Sequence, residues 1–344
     1  MDEYIFLVLT VILIGFFFIK GSKKLMLKII SLSLAFFGGF RYDVGVDYPN
    51  YEKIFNGVEY YETRELGFEY FVTFLNYIDA EPQLMFLILA ILIQVLVYKI
   101  IKYYSMNFWL SIVVFMLIPP FFLNTFNGTR QFIAIAIFLY SLRYIEKKEY
   151  FKYFTCIFIG AFFFHESIIF VMIVFPFILK EFTLKFKFFL LLIVILFNFF
   201  IEVLVSYTPY FNYLQIEKKV EIGIFTYILF LFILLIVIFE KKLNDFKYKT
   251  LLLNLNYFSF LTLLLVLMQS KDVMIQMFMR LNNYFFFSYI IFIPNLISSM
   301  RKVNSRFIFS MGLVLVSLLY FLITIGIKGK EYHLVPFKFN FDLF

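Results

Sequence analysis

Residues 151–179 read FKYFTCIFIGAFFFHESIIFVMIVFPFIL, an apolar run of 29 residues interrupted only by His165, Glu166 and Ser167. Taken as one tilted span or as a hairpin of two, this run sets the side of the membrane for everything after it. As one span it leaves 17 basic residues inside and 14 outside, and the charge asymmetry that orients membrane proteins nearly disappears. As a hairpin, with the N-terminus outside, 20 of the 31 basic residues lie inside and 18 of the 23 acidic residues outside. Every inner loop then contributes: Lys20 to Lys28, Lys99 and Lys102, Arg143 to Lys152, Lys180 to Lys187, Lys241 to Lys249, and Arg301 to Arg306. The hairpin is the expected form. Its limbs of about 13 residues make ~20 Å of helix, short of a ~30 Å hydrocarbon core. The turn therefore sits below the outer surface, where non-helical backbone needs surrounding protein or water. His165 and Glu166 are expected to line the floor of a cavity open to the outside.

A chain of 344 residues, 63% of them hydrophobic and with a mean hydropathy of +0.91, lies outside the range of soluble globular proteins, which are about half apolar. Twelve hydrophobic segments are expected, at 4–19, 25–40, 84–101, 108–125, 131–145, 151–164, 167–179, 188–205, 222–239, 251–268, 281–298 and 307–327. Most approach the ~20 residues that cross a bilayer. The expected fold class is an all-α polytopic integral membrane protein of about 12 transmembrane segments, forming one transmembrane domain over residues 1–344. No internal repeat or linker divides it. Lys20, Lys23 and Lys24 follow the first segment in place of a small-residue cleavage site, which makes Tyr4 to Ile19 a retained span. The single Cys156 rules out an internal disulfide framework. The net charge of +8 resides in the inner loops, so it signals orientation and implies no nucleic-acid partner.

Outside the spans lie a large outer loop, 41–83, a second at 206–221, a third at 269–280, and an outer C-terminal tail, 328–344. In the first loop Phe68, Phe71, Val72, Leu75 and Ile78 recur at helical spacing while Glu62, Glu65 and Glu69 fall on another face. That pattern predicts an amphipathic helix lying at the outer interface.

The loop opens with RYDVGVDYPNY, residues 41–51. Arg41, Asp43 and Asp47 form one polar constellation, with Gly45 permitting a tight backbone and Pro49 stopping any preceding helix. Two readings stay open: a structural collar in which Arg41 pairs both aspartates, or a substrate site. Arg130, in NGTRQ, follows an Asn127-Gly128 turn and has Thr129 as the expected N-cap. Beside free amide donors at a helix start, such an arginine suits a phosphate; its alternative is an anchor among lipid headgroups. Arg280, in MRLNNY, is expected in the same position at the start of its own span. His165 is either a proton acceptor for a hydroxyl or a core histidine with satisfied hydrogen bonds. His333, the other histidine, is expected at the surface. Asp43 and Asp47 stand four apart with no third ligand, so no metal is expected. The chain has no phosphate-binding glycine loop, no nucleophile elbow and no Cys/His ligand set, so no cofactor is expected either.

RYDVGVDYPNY after an early span, NGTRQ, FFFHES at a hairpin tip, MRLNNYF and a terminal VPFK together resemble the EpsG-like branch of the Wzy-type polysaccharide polymerases, from about Phe40 to Lys338. The tail departs from the pattern in having Phe337 in place of a tyrosine. The resemblance implies a multi-pass enzyme of the bacterial inner membrane, with its active site facing the periplasm or cell exterior. Such an enzyme transfers a glycan from an undecaprenyl diphosphate carrier to the sugar of a newly arrived lipid-linked repeat unit, making O-antigen, capsule or exopolysaccharide. It implies both lipid-linked oligosaccharides and the bilayer as partners, with a chain-length regulator and a flippase beside them. His165 is then the first choice of general base and Asp47 the second. Arg130 and Arg280 would hold the diphosphate, Arg41 assisting, and Asp43, Tyr48, Gln131 and Glu166 would complete the substrate-binding set. The competing functions are a flippase for lipid-linked oligosaccharides, against which stands the bias of the polar groups to the outer ends, and an outer-leaflet glycan ligase that shares the same chemistry.

Overall fold

The computed structural model describes residues 1–18, 20–58, 65–206 and 222–344. Glu62 and most of the second expected outer loop, residues 207–221 with Lys218, lie outside the described residues. The chain runs through α1 (Asp2–Phe17), α2 (Lys23–Gly39), β1 (Arg41–Tyr42), α3 (Tyr48–Phe55), α4 (Leu66–Tyr77), α5 (Pro82–Tyr104), α6 (Phe108–Leu117), α7 (Thr129–Glu146) and α8 (Tyr150–Phe163). After a 3-10 helix at Glu166–Val174 come α9 (Leu184–Ser206), α10 (Ile224–Phe239), α11 (Lys249–Met268), α12 (Asp272–Phe286), α13 (Tyr289–Ser298), α14 (Val303–Lys328) and β2 (Lys338–Phe339). Among the described residues, α5, α9, α10, α11 and α14 are long and apolar enough to cross a membrane. Phe199, Ile228 and Phe307 are exposed on α9, α10 and α14, as large apolar groups are when the surrounding solvent is lipid.

Three of the twelve expected segments depart from single α-helices. Segment 108–125 is α-helical only to Leu117, because Pro119 and Pro120 follow and bias the preceding residue out of helical geometry. Segment 281–298 is two helices: α12 already begins at Asp272, and a turn at Phe287-Ser288 separates it from α13. Segment 167–179 is a 3-10 helix followed by turns, since Pro176 supplies no amide donor. The carbonyls left over are held by a side chain. Asn254 of α11, 3% exposed, donates its amide to Phe177 O (3.2 Å), Ile178 O (2.9 Å) and Lys180 O (2.8 Å). Irregular backbone at membrane depth requires such internal partners.

The described residues form two compact units, Met1–Ile169 with Tyr289–Phe344, and Phe170–Ser288. In the first, α2 packs along α5, α5 along α7, and α7 along α8. Its C-terminal tail returns to the residues after α2. β2 pairs antiparallel with β1, setting Arg41 opposite Phe339 and Tyr42 opposite Lys338. Further amides extend the strap: Gly45 N donates to His333 O (2.8 Å), Asn340 N to Phe40 O (2.9 Å) and Glu81 N to Leu343 O (2.9 Å). Phe337 anchors it from below, stacked on Phe37 at 4.1 Å and edge-on to Tyr4 at 5.2 Å, while the Tyr4 hydroxyl donates to Leu334 O at 2.9 Å. Phe337 thus fills an apolar ring cluster, and His333 is exposed as expected.

The second unit is built on α11, which packs against α9, α10 and α12. Asn282 of α12, 1% exposed, accepts hydrogen bonds on Oδ1 from Ser259 (2.7 Å) and Thr262 (3.1 Å) of α11. Part of the polar density around Arg280 is therefore interhelical packing. Lys187 and Glu240 form a largely buried ion pair between the start of α9 and the end of α10.

Candidate functional site

α2 ends at Gly39, and Arg41 enters β1 only 2% exposed. Its guanidinium makes no pair with Asp43 or Asp47. Nη1 donates to Gly38 O (2.5 Å) and Nε to Val44 O (3.2 Å), and the group lies 4.9 Å from the Phe86 ring and 5.0 Å from the Phe126 ring. Burial pulls the Arg41 pKa down to about 10, which leaves it charged at neutral pH. Arg41 Nη2 and Gln94 Oε1 are both buried without a hydrogen-bond partner, and the two residues line one cavity of about 10 Å³ with Thr125 and Thr129. That is room for about one water, with polar groups on opposite helices to hold it.

The loop around Arg41 is locked from α5. Gln83, 1% exposed, donates to Gly39 O (2.6 Å) and Arg41 O (3.1 Å), and its carbonyl accepts from the Tyr48 hydroxyl at 3.4 Å. The Tyr48 ring stacks on Phe86 at 4.3 Å, and burial raises the phenol pKa above its ordinary value. Tyr48 is thus an internal brace. Gly45, at φ +101, has no room for a Cβ, which would meet Phe126 O at 2.7 Å, so glycine is required there twice over. Asp43 is exposed, with φ +53.

Asp47 stands at the start of α3 and reaches across to α7. Its Oδ2 accepts the Gly128 amide at 2.7 Å, Asn127 Oδ1 accepts the Val46 amide at 2.6 Å, and the Tyr51 hydroxyl accepts the Arg130 amide at 3.1 Å. Amide donors expected to be free for an anion at the start of α7 are therefore held by the loop. Gly128, at φ +54, occupies the N-cap position, and Thr129 is the first helical residue, its hydroxyl turned to Thr125 O at 2.8 Å. Arg130 Nη1 pairs with Glu65 Oε2 at 2.5 Å, and the guanidinium lies 4.9 Å from the Phe68 ring and 5.8 Å from the Tyr51 ring. Glu65, expected on the solvent face of an amphipathic helix, is only 7% exposed and precedes α4 as its N-cap residue. Of the expected apolar face, Phe68, Val72 and Leu75 are buried on α4, whereas Ile78 lies just beyond the helix and is exposed; Tyr70 and Tyr77 are on the exposed side. Gln131 is buried one residue along from Arg130.

α8 stops at Phe163, and the amides of Phe164 and His165 both turn back to Gly160 O, at 3.1 and 2.9 Å. One continuous helix through His165 is thereby excluded. His165 is half-buried and Glu166 exposed. The Ser167 amide donates to His165 Nδ1 at 3.2 Å, and the neutral imidazole that this bond selects carries its proton on Nε2. His165 is joined to the Arg130 cluster through α4: a Cβ on Gly67 would come within 2.7 Å of both Phe162 and Phe163. Only glycine lets the helix that begins after Glu65 approach the end of α8 so closely. Arg280, on the second unit, is exposed in the middle of α12, more than two turns from the start of that helix. It was expected at a helix start because α12 was expected to begin about nine residues later than it does.

Gln83 and Gln94 had no place in the sequence reading, while Glu65 was expected only on a solvent face and Asn127 only in a turn. Gln94 carried a signal, since an amide alone in a membrane-depth apolar run demands a partner. The others become visible only when loops distant in sequence meet.

A polytopic helical membrane protein whose Arg41, Asp47, Arg130 and His165 motifs gather at one end of a packed α2, α5, α7 and α8 is the class these features define. The chain belongs to the EpsG family, whose family model matches residues 24–339, a stretch containing Arg41, Asp47, Arg130, His165 and Arg280. That family is associated with Wzy-type polymerases, which makes this a polysaccharide polymerase-like membrane protein. No curated protein and no solved structure matches the chain.

Proposed function

We propose that the protein polymerises lipid-linked oligosaccharide repeat units on the outer face of the bacterial inner membrane. The glycan moves from undecaprenyl diphosphate to a hydroxyl of the acceptor repeat unit. The observation that carries this is the family match across residues 24–339, which takes in Asp47, Arg130 and His165 together. In the reaction the acceptor oxygen bonds to the anomeric carbon, the bond from that carbon to the diphosphate oxygen breaks, and the acceptor proton must be taken up. Asp47 is the better base of the two candidates. One carboxylate oxygen is spent on the Gly128 amide, which fixes the group, and the other remains to accept a proton. His165, with Nδ1 engaged, presents an Nε2 proton and is suited to donate a hydrogen bond to the departing diphosphate. Arg130, held flat by Glu65 and two rings, adds charge without having to be ordered on binding. Arg280 is a separate candidate phosphate contact on the second unit, tested by Arg280→Lys, which keeps the charge and loses the planar fork.

The test has a cellular and a chemical arm. A deletion strain should carry a single repeat unit on its surface anchor; loss of all surface sugar would identify a flippase instead. With purified protein and a synthetic lipid-linked repeat unit, His165→Ala should shorten the product ladder while His165→Gln, whose amide nitrogen falls near Nε2, restores it. A Gln variant as inactive as Ala would return the base role to His165.

A further inference from the structure

Arg130 and His165 mark one end of α7 and α8; the other end carries a second, differently built cluster. Lys99 of α5 places Nζ 5.5 Å from the Tyr140 ring. The Arg143 guanidinium lies 3.8 Å from that same ring and 4.5 Å from Tyr144, and Lys152 of α8 places Nζ 6.0 Å from Tyr144. The two rings are 6.3 Å apart, so three helices deliver cations to one pair of tyrosines. Aromatic faces attract cations without neutralising them. Lys152 has Glu149 at 3.0 Å, but among the described residues Lys99 and Arg143 make no ion pair with a carboxylate. Arg143 is already ordered: Nη2 donates to the Tyr144 hydroxyl at 2.5 Å, and Nε is buried with no hydrogen-bond partner.

Apolar surface leads directly into this cluster. Ile91 and Val95 precede Lys99 at intervals of four and so share its helix face, and they are 43% and 42% exposed. On α8, Phe151 and Phe158 are 85% and 68% exposed. A fixed set of cations at the head of an exposed apolar row matches an amphiphile with an anionic head. We propose that Lys99, Arg143 and Lys152 bind the phosphate of an anionic phospholipid, with an acyl chain lying along Val95 and Ile91. A free phosphate shares the head chemistry and lacks the chain, which is how the two are told apart.

The experiment uses full-length protein in neutral detergent, challenged with dioctanoyl-phosphatidylglycerol, dioctanoyl-phosphatidylcholine or inorganic phosphate, and reads thermal stabilisation and lipid retained in native mass spectrometry. Phosphatidylglycerol should stabilise and be retained at least about tenfold better than phosphatidylcholine, as expected for charge-assisted contacts to one phosphate. Lys99→Gln with Lys152→Gln, both exposed positions, should cut retention about tenfold with the unliganded melting point unchanged. Lys102→Gln, which removes one charge beside a different ring, should leave retention intact. Equal stabilisation by inorganic phosphate, or an equal loss in Lys102→Gln, would overturn the site.

Discussion

Arg41 and Arg130 at one end of the first unit, and Arg143 near the other end of α7, are the same side chain in different settings. Arg41 is closed in by two backbone carbonyls and two phenylalanine rings, and Arg130 by Glu65, Phe68 and Tyr51. Arg143 has tyrosine on two sides and no carboxylate partner among the described residues. At the first end, the charge of Arg41 is consumed in building a loop and that of Arg130 is held in place by Glu65, beside the groups that loop fixes, Asp47 and His165. At the second, charge is displayed. Spacing in the sequence does not distinguish these cases, because the rings that enclose Arg41, Phe86 and Phe126, and the Glu65 that pairs with Arg130 come from elsewhere in the chain.

The largest effect should come from Asp47→Asn. The amide oxygen still accepts from Gly128, so the loop survives while the proton acceptor is lost, and the polymerisation rate should fall ~10² to 10⁴-fold. A product ladder from matched amounts of inserted protein measures it, and a parental rate would remove Asp47 from the mechanism. Arg41→Met sharpens the contrast between the ends. It strips donors from the carbonyls of Gly38 and Val44 and should cost ~2–3 kcal/mol of stability, read as thermal unfolding in detergent. Lys99→Gln in the same assay should stay within ~0.5 kcal/mol. Similar losses at both would erase the distinction drawn between consumed and displayed charge.

Much of the fold was legible in the sequence. The all-helical apolar character, the break in the helix before His165 and most of the buried face of α4 follow from hydrophobic period and charge. The rest failed for physical reasons specific to each place. Segment 167–179 has helical hydrophobicity, but its backbone is satisfied by Asn254, more than seventy residues away. Glu65 lies at the correct spacing for a solvent face and is instead drawn to Arg130. Gln83 and the 328–344 tail secure the Arg41 loop through contacts that span 44 residues in one case and nearly the whole chain in the other. The family motifs located the cluster because they contain Asp47, Asn127 and Arg130, yet they gave no warning that Arg41 and Tyr48 face inward.

Smaller effects probe the loop itself. Glu65→Gln should cost ~1–2 kcal/mol, since a mostly buried guanidinium loses its charged partner, and it should lower activity less than Asp47→Asn does. Arg130 remaining fully effective without Glu65 would show that the ion pair does not position it. Glu52 gives the smallest change. Its pKa is raised, first by burial and then by Asp43, so the ionised form disfavours the fold. Glu52→Gln should therefore raise the melting point slightly at neutral pH, with the gain disappearing as pH falls below the folded pKa and the wild-type carboxyl protonates. A gain that persists in acid would have another origin.

Purified full-length protein in a bilayer nanodisc, given only a synthetic undecaprenyl-diphosphate-linked repeat unit, tests the polymerase assignment directly. The prediction is a ladder of products differing by one repeat unit, with one undecaprenyl diphosphate released for each bond formed and no nucleotide sugar required. Repeat units that stay single, with no lipid diphosphate released by active, correctly folded protein, would contradict it.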